Sequence, residues 1–301
     1  MGKVKDFEMK KGMSVEGLVR QMDSAGFQAA HLARGAEIIR EMKRGKATVL
    51  LTFTANMVAS GLRSLFARLC EKRFVDLIIT TGGAIEHDFI RSFRPYLMGD
   101  FNMDDVELRR KGINRIGNIL VPSDRYVTLE KKIQSLFKRL YKKNRFTSPS
   151  ELSKEMGKLI KDKGSFLHWA AKNEIPVFSP GITDSAIGLQ TYFFKQDHPD
   201  FGIDVTGDMK TLADIVLNAE KTGGIILGGG ISEHHAIGAN IVREGMDYAV
   251  YVTTSQPWDG SLSGARTNEA VSWGKIKKKA NHVTIDGDAT VIFPLLISEF
   301  L

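Results

Sequence analysis

Cysteine is almost missing from this chain: Cys70 is the only one in 301 residues. No disulfide can form within the chain, which fits a reducing compartment. In GLRSLFARLCEKR the helical spacing of Leu62, Leu65, Phe66 and Leu69 puts Cys70 at a core edge. Long apolar runs are missing too, since none approaches the roughly 18 residues that a membrane helix needs. The N-terminal MGKVKDFEMKKGMSV has no apolar core of the signal-peptide kind. The expectation is a soluble, cytoplasmic protein with no membrane partner. There is no internal repeat, low-complexity tract, zinc knuckle, RNA-binding aromatic signature or helix-turn-helix pattern.

What is present is enough apolar material, 43% of residues, to bury a sizeable core, and a single domain spanning residues 1–301 is expected. The net charge of +7 invites a nucleic-acid reading. Much of the excess, however, is confined to KKIQSLFKRLYKKNR (Lys131 to Arg145) and to Lys277, Lys278 and Lys279. In the first segment Ile133, Leu136, Phe137 and Leu140 keep helical spacing, so its cations form the wet side of an amphipathic helix. No direct nucleic-acid partner is expected.

Short apolar runs alternate with helical patterns along the chain. Strands are predicted at ATVLLTF from Ala47, VDLIIT from Val75, NILV from Asn118, IPVF from Ile175, GIILG from Gly224, YAVYVTT from Tyr248, HVTI from His282 and TVIF from Thr290. Helices are predicted from Pro149 to Lys161 with Ser148 as N-cap, from Met209 to Lys221 and from His234 to Glu244. The fold class is α/β: a Rossmann-like, doubly wound, mainly parallel sheet with helices on both faces. The one soft linker expected is Lys142 to Ser148.

Five of these strands finish in small or hydroxyl residues: Thr54-Ala55-Asn56, Thr81-Gly82-Gly83, Ser179 to Asp184, Gly229-Gly230 and Ser255. In doubly wound folds ligands bind beyond the carboxyl ends of the strands, where glycines let backbone N–H groups approach phosphates. A dinucleotide or similar phosphate-bearing ligand is implied. Gly228-Gly229-Gly230 is not a full dinucleotide fingerprint, because Glu233 stands in the third glycine's place. His234 and His235 are adjacent, so their side chains diverge, and no third ligand stands at a usual spacing; no metal site is expected. After a glycine-rich turn, either ring could act as a general base or simply cap a helix.

The densest chemistry lies in DGSLSGARTNEAVSWGKI, Asp259 to Ile276. Lys275 follows Trp273 by two residues and Glu269 by six. An amine beside an aromatic wall and near a carboxylate is suited to covalent chemistry, because desolvation favours its neutral, nucleophilic form. The lysines that follow at once offer a plainer reading, a solvated surface strip.

Several long segments resemble the deoxyhypusine synthase family, in the family's order: LTFTANMVASGLR, VDLIITTGGAIEHDFIR, INRIGNILVP, IPVFSPGITDSAIG, GGGISEHHAIGAN, REGMDYAVYVTTSQPWDGSLSGARTNEAVSWGKI and GDATVIFPLL. The resemblance implies a homotetrameric, NAD-dependent transferase that moves the aminobutyl group of spermidine onto one lysine of translation factor 5A. It implies that NAD takes a hydride from spermidine, that diaminopropane leaves, and that Lys275 holds the butylamine fragment as an imine before passing it on. On the same resemblance His234 is the base or amine-orienting group. Trp273 walls the alkyl chain, while Glu86 and Glu269, with Gly260 and Ser261, serve the amine. The positions that match for NAD are Asn56, Thr81, Gly82, Gly83, Asp184, Gly229, Thr254, Ser255, Asp288 and Ala289. A polycationic substrate needs such carboxylates and aromatic faces within a basic protein.

The sequence also departs from the eukaryotic pattern. His87 follows Glu86 where a second acid stands, Leu189 and Leu262 replace acids, and Glu233 replaces a lysine before the histidine pair. The SLSG form resembles archaeal members. The amine donor therefore stays open, and two alternatives stand beside the first reading: a related enzyme that joins small amines or uses a guanidino amine such as agmatine, and a catalytically quiet NAD-binding scaffold.

Overall fold

The computed structural model describes residues 2–301. They divide into two compact units, one comprising the chain up to Phe53, residues 74–79 and residues 210–301, the other residues 54–73 and 80–209. The division does not fall at Lys142 to Ser148. That stretch contains a short strand, Phe146–Thr147, paired in parallel with Gly202–Ile203.

The first unit is built on adjacent strands in the order Ile276–Asp286, Met246–Thr253, Thr222–Leu227, Thr48–Phe53, Leu77–Thr80. The first four pair in parallel. Thr48–Phe53, Thr222–Leu227 and Leu77–Thr80 are buried almost throughout, as a parallel sheet covered by helices on both faces requires. Helix Phe27–Arg44 packs on the three strands from Thr222 onward, and helix Gly230–Ala239 packs on Thr48–Phe53 and Thr222–Leu227. This is the doubly wound α/β architecture expected from the alternating pattern.

Strand Ile276–Asp286 lies at the edge of the order and alternates in burial. Met246 stands opposite Ile276 and Tyr248 opposite Asn281, so the ladder breaks where the lysines are. Lys278 and Lys279 are exposed, and Lys277 reaches Asp247 at 2.7 Å. Charge and a bulge on an edge strand block edge-to-edge pairing with another sheet. The lysine run is therefore explained without chemistry.

Several expected elements differ in the structure. TVIF is not a strand: Ala289–Ile297 is a helix, capped by Asp288, whose side chain accepts from the Thr290 N–H at 2.8 Å. A short apolar run looks the same in a buried strand and a buried helix, so its periodicity misled. NILV belongs to a separate antiparallel sheet in the second unit, where Ile119–Pro122 lies between Leu97–Met98 and Ile113–Ile116. The predicted helix at His234 starts earlier, at Gly230, and ends at Ala239.

The second unit is mainly helical. Helix Asp124–Tyr141 buries Ile133, Leu136 and Phe137, as their spacing predicted, with Leu129 added and Leu140 only half-buried, and leaves Lys131, Lys138 and Arg139 exposed. Pro149–Lys158 begins at Ser148, whose hydroxyl accepts from the Glu151 N–H. Helix Gly82–Arg91 is the centre of this unit, buried along most of its length, and it packs against Asp124–Tyr141 and Ala186–Asp197. No helix among the described residues is long and apolar enough to cross a membrane.

Candidate functional site

The candidate residues fall on both units. In the first, Lys275 is positioned by the way helix Thr267–Ser272 ends. Gly274 adopts φ 68°, which a residue without Cβ takes at little cost. The Lys275 N–H bonds Ala270 O at 3.0 Å, while its carbonyl accepts from Met246 N at 3.0 Å. Lys275 thus stands at the amino end of the edge strand, whereas Ser255, Gly229 and Asp288 follow carboxyl ends. Its Nζ lies 5.3 Å from the centroid of the Trp273 ring, a cation–π distance. Trp273 is 67% exposed, an unusual position for an indole with no packing duty.

Glu233, in the first turn of helix Gly230–Ala239, is only 1% exposed. Burial pushes its carboxyl up to about 8, with the Lys275 ammonium opposing the rise and Glu269 adding to it. Its Oε1 has no hydrogen-bond partner, and neither has the buried hydroxyl of Tyr251. His234 and Glu269 are exposed.

The loop between strand Thr222–Leu227 and this helix turns through Gly228 and Gly230 at φ 75° and 71°. A Cβ on Gly229 would stand 2.3 Å from Ser263 Oγ and 2.4 Å from Ser263 Cα, so that glycine is where the loop carrying Gly260 and Ser261 crosses. Thr253 Oγ1 joins the two segments, accepting from Ser255 N at 3.1 Å and donating to Ser263 O at 2.8 Å. Thr254, Gly260 and Ser261 are exposed.

In the second unit a cavity of about 930 Å³ is lined by Glu86, Glu130, Asp184, Tyr126, Tyr192 and Leu189 among others. Glu86 is 7% exposed and accepts from Ala186 N at 2.5 Å. Burial pushes its carboxyl up to about 7 against that bond and a second one from Ile187 N, with Asp184 adding to the rise. Successive residues of a helix point about 100° apart. His87 therefore turns away and meets the Tyr96 hydroxyl at 2.8 Å, its ring pushed down to about 4 by burial and by Arg91. Asp88 turns to a third side, where Arg63 Nε at 2.6 Å and Ser165 Oγ at 2.6 Å hold it fully buried.

The helix bearing Glu86 begins at Thr81, whose hydroxyl accepts from Ala84 N at 3.3 Å. A Cβ on Gly82 would stand 2.6 Å from Ser185 Oγ, and one on Gly83 2.9 Å from the Ala55 methyl. Asn56 is exposed and accepts from the Thr54 hydroxyl at 2.6 Å.

Residues 17–300 match the family model described as deoxyhypusine synthase. The chain belongs to the deoxyhypusine synthase family. A "Probable deoxyhypusine synthase" of Pyrococcus abyssi is 44% identical over 301 residues, covering 94% of this chain and 90% of that protein. One of the same description from Methanocaldococcus jannaschii is 46% identical over 290 residues, covering 90% of this chain and 88% of its own. A crystal structure from Entamoeba histolytica, of a protein provisionally identified as a deoxyhypusine synthase, is 26% identical, with a TM-score of 0.72 over 98% of this chain and 96% of that one. AgrE in complex with ornithine and NAD+ is 14% identical, with a TM-score of 0.54 over 91% of this chain and 33% of that one, a likeness of fold alone. Membership makes this chain an enzyme of the deoxyhypusine synthase type.

The cavity also holds residues that sequence reasoning missed. Tyr126 and Glu130 are four apart on one helix and share a face, and Tyr192 and Phe193 on another helix join Leu189, already named from the sequence. The i, i+4 pairing of a tyrosine with a carboxylate was the available signal. It was passed over because the helical reading began only at Lys131.

Proposed function

We propose that this chain carries out the family's reaction, the NAD-dependent transfer of the 4-aminobutyl group of spermidine to one lysine of translation factor 5A, in the cytoplasm and as a homotetramer. The observation that carries the reading is the Lys275 amine set against the exposed Trp273 ring with the buried Glu233 carboxyl in electrostatic reach. That is a nucleophile with an aromatic wall and an anion, in a chain matched to the family over residues 17–300.

The residues present fit a dinucleotide. A Cβ on Gly230 would meet nothing within 4 Å, at positive φ and at the start of a ten-residue helix that follows a parallel strand. Open backbone N–H groups at such a place suit a phosphate. On the first unit Gly229, Thr254, Ser255, Asp288 and Ala289 are assigned to NAD. When bound, NAD supplies a hydride acceptor and donor.

The Lys275 amine adds to the substrate's C=N carbon. The bond to the departing diamine breaks, and the four-carbon amine is held on Lys275 as an imine. The acceptor lysine displaces Lys275 by the same exchange. Trp273 shields the alkyl chain from water, and His234 orients the amine or takes its proton. Glu269 and the loop of Gly260 and Ser261 receive an ammonium end. A second reading is favoured by Leu189, an apolar residue lining the acidic cavity: a donor or acceptor carrying fewer charges, as in the joining of small amines.

Borohydride trapping after incubation with NAD and spermidine tests this, with peptide mapping and with or without factor 5A. An adduct on Lys275 that moves to the factor is expected, and none in Lys275→Ala or Lys275→Arg, since a guanidinium forms no imine. An adduct that moves only to a small amine supports the second reading. Unmodified Lys275 in the parent protein overturns both.

A further inference from the structure

The ladder between strands Met246–Thr253 and Ile276–Asp286 loses its register directly after Lys275. Met246 stands opposite Ile276 and Tyr248 opposite Asn281, so Asp247 alone faces Lys277, Lys278, Lys279 and Ala280. A bulge beside a reactive residue bends its strand and re-aims the side chains next to it. Lys278 and Lys279 are exposed. Lys277 instead folds back onto the facing strand, where its Nζ donates to Asp247 Oδ1 at 2.7 Å. Gly245 backs the same segment closely: at φ 103°, its Cβ would stand 2.7 Å from Ile276 C and 2.8 Å from Lys277 N.

Asp247 is itself held from behind. Its Oδ2 accepts from Thr222 N at 2.9 Å and from Arg243 Nη1 at 2.8 Å. Arg243 is fixed in turn by Ala219 O at 3.1 Å, Glu220 O at 2.9 Å and Thr222 Oγ1 at 2.9 Å. Thr222 Oγ1 donates to Asn240 Oδ1 at 2.7 Å, and Asn240 Nδ2 donates to Ala236 O at 2.9 Å, on the helix that carries His234. Thr222 and Asn240 are fully buried, and a satisfied buried network of this kind is rigid. Burial would raise the Asp247 carboxyl, but the bonds from Lys277, Arg243 and Thr222 N hold it below its usual value, so it stays ionised at neutral pH. Every member of the network lies in the first unit.

We propose that Asp247 is a positioning residue for Lys275: through Lys277 it holds the bulge that sets the Lys275 amine over the Trp273 ring. This deepens the reading above and rests on it. The Lys275 main chain is held by Ala270 O and Met246 N. Those bonds fix where the strand begins, and the tie at Lys277 fixes the direction in which it leaves. Asp247 also joins that strand, through Thr222 and Asn240, to the helix of His234, so both candidate groups share one frame. No bond forms or breaks at Asp247. Its effect is on geometry, and a reacting group misplaced by about 1 Å can lose roughly a hundredfold in rate.

The position of the amine is read by NMR without substrate or NAD. Reductive methylation with isotope-labelled formaldehyde keeps each lysine charged. The methyl resonance of Lys275, assigned by its loss in Lys275→Arg, should lie upfield of that of exposed Lys278, because the amine sits 5.3 Å from the Trp273 ring centroid. Lys277→Met and Asp247→Asn should each move it to the Lys278 position, whereas Lys277→Arg, which keeps the cation, should leave it in place. In borohydride trapping with NAD and saturating spermidine, the rate of adduct formation on Lys275 should fall about tenfold in the first two variants, with the half-saturating concentration within about twofold of the parent's. A role in stability alone would move neither reading in a folded variant. An upfield resonance that persists in folded Lys277→Met and Asp247→Asn overturns the proposal. So does a displacement lost in Lys277→Arg as completely as in Lys277→Met, or one lost with no change in trapping rate. A parent protein that shows the displacement but forms no adduct on Lys275 overturns the reading of Lys275 itself, and the proposal falls with it.

Discussion

Replacing Glu86 by glutamine should change how the stability of the protein depends on pH. The folded carboxyl is pushed up from 4.5 to about 7, chiefly by burial. A group whose folded pKa is raised contributes fully below its unfolded pKa and loses that contribution as pH rises through the folded value. At about 1.4 kcal/mol per pKa unit, ionising Glu86 costs the fold roughly 3 kcal/mol between pH 4.5 and pH 7. Glutamine keeps the shape and an oxygen to accept from Ala186 N but carries no charge. The stability of Glu86→Gln minus that of the parent should therefore grow by roughly 3 kcal/mol from pH 4.5 to pH 8. The neighbouring His87, pushed down to about 4, acts with the opposite sign: it contributes above 6.5 and loses that contribution as pH falls through 4. It is present in both proteins and cancels in the difference. Urea unfolding at half-unit pH steps measures the curve. A difference that stays flat across this range would refute the claim that desolvation governs Glu86.

Arg63→Ala should cost about 3–5 kcal/mol in urea unfolding, because it leaves the Asp88 carboxylate buried without its cation; a loss under 1 kcal/mol would contradict that reading. Gly229→Ala should lower thermal stability by about 1–3 kcal/mol, since the new methyl must push the Ser263 backbone aside, and an unchanged melting temperature would mean the crossing is looser than described. Ser148→Ala should cost about 1 kcal/mol through loss of the helix cap at Pro149, measured the same way, with Ser148→Asp restoring most of it.

What the sequence by itself determined is what depends on local chemistry and spacing. Strands Thr48–Phe53 and Thr222–Leu227 were legible because a strand covered on both faces must be apolar throughout. Ser148 was legible because a hydroxyl before Pro149 caps a helix from any surroundings. Lys275 and Trp273 were legible because two residues of backbone keep them neighbours. Tertiary structure decided the rest. Thr290 to Phe293 belongs to a helix, capped by Asp288, that buries Phe293 and leaves Val291 exposed, a pattern of cover that a short apolar run does not reveal. Tyr126, Glu130 and Leu189 share one cavity only because two helices distant in sequence pack together. Glu233 reads in sequence as the residue in the third glycine's place, just before the predicted helix, and only its burial makes it a carboxyl near 8 whose Oε1 has no partner. Spacing along a chain tells which side chains share a face, but burial and electric field depend on what the rest of the fold brings against that face.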